Sequence, residues 1–487
     1  MPGLEDLSRE ELIELASEQA RQIEAQARQI EALTERLAQV ERLLSRNSRN
    51  SSMPPSSDDQ PGKPTPKDDP KQEKPEAGKR RPGKQRGDQG RHLPWSEAPD
   101  DTLSHRPVGR CGCGSDLGKA EDLGVAFSRQ EHEIPLVCAQ VIQHDMHTVR
   151  CQCGAVVTAS PPAGLAEAPV SYGVNLRAWC VYLLVVHAVP VERCAQIVES
   201  LTGVKPSTGF VHGLIDRAAA ALEQVDKQIR ALITLAYAVC CDETPIRVGA
   251  RKTKKYLLVA CTQLYTWYML GDRSLATFKA FVLAELTGVV VHDRYQNYDS
   301  VEVGEHLHQL CCAHLLRDLE DAAEVYPQAH WPGQIQEALR GLIHAANTAR
   351  EQGLSEIDEH IKTEHIIWFR RGVRVGLAQV PPTVGRKDKA APGRCLLEVL
   401  RDREADVLRF AHDLKVPPTS NDAERDLRPA KTQQKISGRL RSEKTTEARY
   451  RIRGYTSTAA KHGTDVLAAL RDALLGRPWT PPIPAPT

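Results

Sequence analysis

No stretch of this 487-residue chain reaches the roughly 18 consecutive apolar residues that a membrane helix requires. The longest candidate, Trp179 to Val191, is interrupted by His187 and Pro190. The opening MPGLEDLSREELIEL is acidic and amphipathic, and it has no apolar core of the secretory kind. Membrane insertion and export are therefore not expected. The 13 cysteines are expected to be reduced thiols of a cytosol, used for metal ligation or plain burial. Net charge is also missing: 64 Lys and Arg oppose 63 Asp and Glu, so the +1 total says nothing about partners. The distribution says more. Basic residues crowd Lys79 to Arg91 and Arg425 to Arg453, and such clusters suit a polyanion or a solvated face.

Gly and Pro are nearly absent from the first 45 residues after Gly3. Ile23, Ile30, Leu37 and Leu44 fall seven apart, with Leu33 and Val40 between them and Gln26 breaking the seam. Residues 1–45 read as a short coiled coil, or as one amphipathic helix lying on the body. Large apolar residues then vanish, and 46–94 reads as a disordered linker that grows basic toward its end. Residues 95–160 form a small module. It opens with Cys111-Gly-Cys113-Gly, closes with Cys151-Gln-Cys153-Gly, and holds strand-like alternation such as QVIQHDMHTVR between them. Two Cys pairs in glycine turns suit one tetrahedral zinc in a zinc-ribbon-like module. The one-residue gaps are tighter than the usual two to four, which leaves plain thiol turns, or ligation by His144 or His147, as alternatives. Residues 165–232 read as helical, with an apolar helix over Leu176 to Val189. A helix, a turn around Gly203 to Pro206 and a helix opened by Ser207 or Thr208 follow, in the manner of a helix-turn-helix.

From Tyr237 the pattern turns to strands. AYAVCCDETPIRV, YLLVACTQ and LYTWYML alternate as strands, SLATFKAFVLAEL reads as a helix, and GVVVHD is a buried strand ending in Asp293. HQLCCAH reads as a short strand leading into the helix LLRDLEDAAEV. Three antiparallel strands, a helix, a strand and a helix are the order of a ribonuclease-H-like core. Its segments are 233–326 and 419–465, with 327–418 as a mostly helical, polar insertion and 466–487 as a C-terminal helix and Pro-rich tail. The expected class is multidomain α+β. Asp242 lies on the first strand and Asp293, 51 residues later, ends the fourth. In NDAERDLRPAKTQQ, Ser420 or Asn421 caps a helix whose first turn holds Glu424. Three carboxylates at one point repel unless cations neutralise them, and hard oxygen ligands suit Mg²⁺ or Mn²⁺. Two such ions support in-line phosphoryl displacement, with water for cutting or a DNA 3′-hydroxyl for joining. Arg425, Arg428, Lys431, Lys435, Arg439 and Arg441 are candidates to hold the DNA backbone.

With these motifs the chain resembles the insertion-sequence-66 transposases. NSRNSSMPPSSD, SYGVNLRAW, VPVERCAQIVESLTG, CDETPIRV, HDRYQNY, CAHLLRDL and above all NDAERDLRPAKTQQKISG carry the resemblance. It implies a DNA transposase with an Asp-Asp-Glu triad at Asp242, Asp293 and Glu424, and His314 and Arg317 near the DNA or the metals. It also implies action as an oligomer on element ends and target DNA, small accessory proteins, and a bacterial, nucleoid-associated setting. Arg294, Gln296, Cys312 and Leu316 depart from the residues frequent at those positions. Two alternatives share these features: a nuclease of the same fold that does not join ends, and an inactive DNA-binding regulator.

Overall fold

The structure is a computed structural model that describes residues 21–24, 26–27, 29–30, 93–134, 137–162, 165, 168–250, 254–382, 391 and 393–483. Most of the expected heptad seam and nearly all of the basic linker lie outside the described residues. Ile23 and Ile30 are described, and both are helical and exposed. The described residues are 51% helical and 10% strand, a mixed α+β composition. It divides into two compact units, residues 67–140 and the remainder.

In the smaller unit no described residue is buried. A pair of hydrogen bonds links Ser96 to the Gln130 amide, at 2.8 and 2.7 Å. Its Cys turn lies just before a single 3₁₀ turn, Leu117–Lys119.

In the larger unit, β1 (Thr148–Arg150) and β2 (Val156–Thr158) make a short exposed hairpin around the second Cys turn. The expected alternation over QVIQHDMHTVR becomes strand only in its last three residues. Without a buried face, alternation alone pairs nothing. Helix α1 (Val174–Val181) runs into a π-helical turn, Tyr182–Val186, so the expected apolar helix stops at His187. Helices α2 (Val191–Thr202) and α3 (Thr208–Ala221) flank a turn at Gly203, which is left-handed at φ +75°. The Ser207 hydroxyl caps α3 by accepting from Phe210 N. Helix α4 (Glu223–Thr234) leads into the sheet.

Strands β3 (Ala238–Ile246), β4 (Lys255–Cys261) and β5 (Thr266–Gly271) are antiparallel neighbours. Helix α5 (Leu275–Ala280) is shorter than SLATFKAFVLAEL. It ends where Phe281 leaves the helical region, and a 3₁₀ turn, Leu283–Glu285, takes over. Strands β6 (Val289–His292) and β7 (Leu307–Leu310) add in parallel on the other side of β3, giving the order β5-β4-β3-β6-β7. The expected succession of elements is therefore observed. After α6 (Cys312–Val325) come α7 (Trp331–Glu351), α8 (Glu359–Gln379), α9 (Arg394–Asp402) and α10 (Glu404–His412). This insertion is helical as expected, but not merely polar. Trp331, Leu339, Phe369, Leu397 and Phe410 fill a core that it shares with Leu310 of β7 and Leu315 and Leu319 of α6. Helices α11 (Asn421–Ile436), α12 (Glu443–Lys461) and α13 (Val466–Leu474) close the unit.

Candidate active site

Strand β3 is buried at Val239, Cys240 and Cys241, and this fixes which of its residues reach the sheet's end. Its parallel register with β6 pairs Ala238 with Val289, Val239 with Val290 and Cys240 with Val291. Every pair is offset by 51 positions, the spacing that separates Asp242 from Asp293. The two aspartates therefore sit level, just past the paired part of neighbouring strands. Backbone amides order both: Glu243 N donates to Asp242 Oδ1 and Tyr295 N to Asp293 Oδ1, each at 2.8 Å. Burial, and then the charges of Glu243 and Asp293, push the Asp242 carboxyl well above the usual carboxylate range.

Glu424 arrives from the first turn of α11. Ser420 holds the N-cap position, but its hydroxyl makes no cap bond there; its amide instead donates to Cys311 Sγ at 3.2 Å. Glu424 Oε1 accepts from Arg317 Nη2 at 3.2 Å, and His314 Nε2 lies 3.7 Å away. The strand expected over HQLCCAH stops at Leu310, and α6 begins at Cys312. Cys311 N makes the last ladder bond, to His292 O, and the backbone turns away at Cys312, whose N donates to Pro418 O. His314 and Arg317 thus share one face of a helix at i and i+3, aimed at α11.

Burial disfavours a charged imidazole at His314, but Cys311, Asp242 and Asp293 outweigh it and raise its pKa to about 9. Burial likewise pushes the Cys311 thiol up, and His314 and Ser420 pull it down to about 7. Lys431, two turns beyond Glu424, is lowered by burial while Asp242 and Glu424 favour its charge. The carboxylates thus have three cationic neighbours. Among the described residues, the ligand oxygens of the triad do not all fall within 4.8 Å of one another.

Glu243 was not singled out from the sequence. Its side chain is 1% exposed, and it accepts from Arg273 Nη2 at 2.7 Å and from the Tyr298 hydroxyl at 3.0 Å. The Arg273 guanidinium lies over the rings of Tyr256 and Tyr295, 4.6 and 4.4 Å from their centroids. Its carbonyl accepts from Asn297 at 2.8 Å, which ties this cluster to the turn after Asp293. Burial, and next Asp293, raise the Glu243 pKa to about 7. The available signal was a second acid directly beside Asp242, pointing to the opposite face of a buried strand.

The basic residues separate into two groups. Arg425 and Arg428 are exposed on α11, as are Lys435 near its end and Arg441 beyond it. Arg425 pairs with Asp422, and with Arg428 it lines a cavity of about 300 Å³ beside His187 and Thr432. Arg439 instead donates to the carbonyls of Val248, Gly249 and Ala250, at 3.3, 3.3 and 2.9 Å. It braces the turn after β3. Arg449, Arg451 and Arg453 point inward to the carbonyls of Leu184, Ala219 and Val186. The segment Arg425 to Arg453 is therefore not one basic surface. Arg439, Arg449, Arg451 and Arg453 are instead occupied by backbone carbonyls.

Each Cys turn is built alike. Cys111 N donates to Ser115 O and Gly114 N to Cys111 O, at 2.9 and 2.7 Å. Cys151 N donates to Ala155 O and Gly154 N to Cys151 O, at 2.8 and 2.9 Å. Gly114 and Gly154 take φ of +92° and +88°, which a side chain would resist. Cys111, Cys113, Cys151 and Cys153 are all exposed free thiols. Hydrogen bonding from Ser115 lowers Cys113 to about 7, and bonding to Cys153 lowers Cys151.

Residues 169–448 match the family described as Transposase IS66 family. Residues 2–94 match a family of unknown function, DUF6444. No curated protein matches the chain.

Proposed function

The chain belongs to the IS66 transposase family, and from that premise we propose that it cuts and joins DNA with Asp242, Asp293 and Glu424. The observation that carries this reading is the shared 51-residue offset, which aligns two carboxylates across parallel strands while α11 brings the third. The strand order and directions support a ribonuclease-H-like core. No helix among the described residues is long and apolar enough to cross a membrane.

The donor set fits Mg²⁺ or Mn²⁺. Three acids offer hard oxygens, and burial with the charges of Glu243 and Asp293 holds the Asp242 carboxyl well above its usual range. Asp242, Asp293 and Glu424 would hold the ions, which when bound supply charge neutralisation and activation of the attacking and leaving oxygens. The protein's own part is positional. Arg317 and His314 orient Glu424 and hold positive charge beside the scissile phosphate's position. Lys431 adds a third cation. Glu243, Arg273 and Tyr298 hold the turn that carries Asp293. Exposed Arg425, Arg428, Lys435 and Arg441 are placed to contact DNA phosphates.

Zinc ligation by Cys111 and Cys113, and by Cys151 and Cys153, each pair taken by itself, belongs to the same proposal. Each turn by itself offers two exposed thiols, half of a tetrahedral set. The described residues of 93–140 have no buried core, as in small modules that metal stabilises.

Labelled element-end DNA with Mg²⁺ or Mn²⁺ tests the central claim. Wild type should yield cleaved and joined products, while Asp242→Asn, Asp293→Asn and Glu424→Gln bind without reacting. Cleavage with no joining from a pre-cut 3′ end would make the protein a nuclease. Near wild-type rates in any one of the variants would remove that residue from the triad.

A further inference from the structure

On the far side of Asp293 lies a second cluster of ligand-bearing side chains that the triad does not use. His292 ends β6 and is fully buried. His308 stands on β7, whose register pairs it with Val290, so the two imidazoles share one face of the sheet. Asp299 ends the 3₁₀ turn Gln296–Asp299. His292 Nε2 lies 3.0 Å from His308 Nδ1. Asp299 Oδ1 lies 3.9 Å from the first and 3.7 Å from the second, beyond hydrogen-bond length to either. Among the described residues this is the one group of three His, Cys, Asp or Glu side chains whose ligand atoms all lie within 4.8 Å.

We infer that His292, His308 and Asp299 form a binding site for a zinc-class divalent ion, separate from the triad. Around a tetrahedral Zn²⁺ with bonds of about 2.05 Å, neighbouring ligand atoms stand about 3.3 Å apart. The three observed separations bracket that value. Two imidazole nitrogens and one carboxylate oxygen are a borderline-soft set that suits zinc over magnesium. The nearby positive charge does not block the site. Arg403 Nη1 binds the other oxygen, Asp299 Oδ2, at 2.8 Å, and Arg409 donates to the His308 carbonyl. Arg403 and Arg409 are in turn both paired with Asp406. Oδ1 is thus left to the imidazoles, while Arg403 holds the carboxylate in orientation, a common outer-shell role. The side chains of His308 and Asp299 are 20% and 33% exposed, which leaves an entry path and an open coordination position. An ion there fastens the turn after Asp293 to β7.

The inference does not rest on the transposase reading. The test counts Zn²⁺ on the full chain after dialysis against Zn²⁺, for wild type, His308→Gln and Asp299→Asn. Folding is checked by circular dichroism in chelator. Each variant should hold one equivalent less than wild type. With Co²⁺, each should lose absorption of the nitrogen-oxygen type while any thiolate charge-transfer band stays unchanged. Equal zinc counts in the three chains would overturn the site. X-ray absorption of Zn²⁺ on wild type gives a check that needs no variant. Two imidazoles per zinc that lacks sulfur support the site, and sulfur-only scattering overturns it.

Discussion

Helices α11 and α12 follow one another, and both are rich in charge, yet they use it in opposite ways. On α11, Glu424 and Lys431 face the carboxylate site, while Arg425 and Arg428 are exposed. On α12, Arg449 is 7% exposed, and Ala448, Tyr450, Ile452 and Tyr455 bury the helix around it. The contrast recurs within α11. Glu424 turns to the cations of α6, whereas Asp426, two residues on, is buried. Asp426 accepts from Thr266 at 2.7 Å, Ser457 at 3.0 Å and Lys461 at 2.8 Å. A charge such as Glu424 stays part-exposed beside the cations of α6. A charge serves the fold where backbone carbonyls or a lone counter-ion complete it.

The sharpest break between the two uses comes from the pair of acids on α11. Asp426→Ala strands the Lys461 ammonium and should cost about 3–5 kcal/mol of stability, read from urea titrations. Glu424→Gln should abolish strand transfer while leaving the urea midpoint within the scatter of wild type. If the two variants unfold alike, the division within α11 fails.

Arg449→Ala removes a buried guanidinium and leaves the Leu184 carbonyl without its donor. It should cost about 2–4 kcal/mol, also by urea titration. If the variant is as stable as wild type and binds DNA more weakly, α12 is a DNA surface after all.

Glu243 gives a smaller, pH-dependent effect. Its pKa is about 7 in the fold, against about 4.3 for a free side chain. A raised acid stabilises the fold fully below the lower value, and that stability is lost as pH climbs through the higher one. In chelator, stability should fall between about pH 4 and 7, and Glu243→Gln should reduce that slope; Asp242 contributes in the same direction. A slope that Glu243→Gln leaves unchanged would mean that its carboxyl is already ionised at pH 5.

The mildest expected change is Arg428→Ala. Folding stability should move by less than about 0.5 kcal/mol. The slope of log affinity for DNA against log salt should shrink by about 0.9, one phosphate contact. An unchanged slope would take Arg428 off the DNA path.

Much of the sheet was legible because β3 and β6 open with buried, mostly apolar runs that Asp242 and Asp293 directly follow. What escaped depended on partners distant in sequence. Glu243 reads as an ordinary strand residue until Arg273 and Tyr298 are seen folded onto it. CCAH reads as strand because its apolar residues are few. Only the carbonyls of His292 and Pro418 show where the backbone turns into α6. The insertion read as polar because Trp331, Phe369 and Phe410 are scattered among charged residues, and helix packing collects them. The basic run misled because composition carries no direction: Arg425 and Arg449 look alike until the helix around each is known to be exposed or buried.

The parallel register of β3 and β6 also sets rules for lengthening or shortening this chain. Extra residues in the connections between Ile246 and Val289 leave the level of the two aspartates untouched, since neither strand shifts. Deleting a single residue within β6 is another matter. Each side chain after the deletion exchanges faces, bringing Arg294 level with Asp242 and carrying Asp293 to the histidine side. Natural or engineered variants should therefore tolerate indels outside these two strands and almost none inside them.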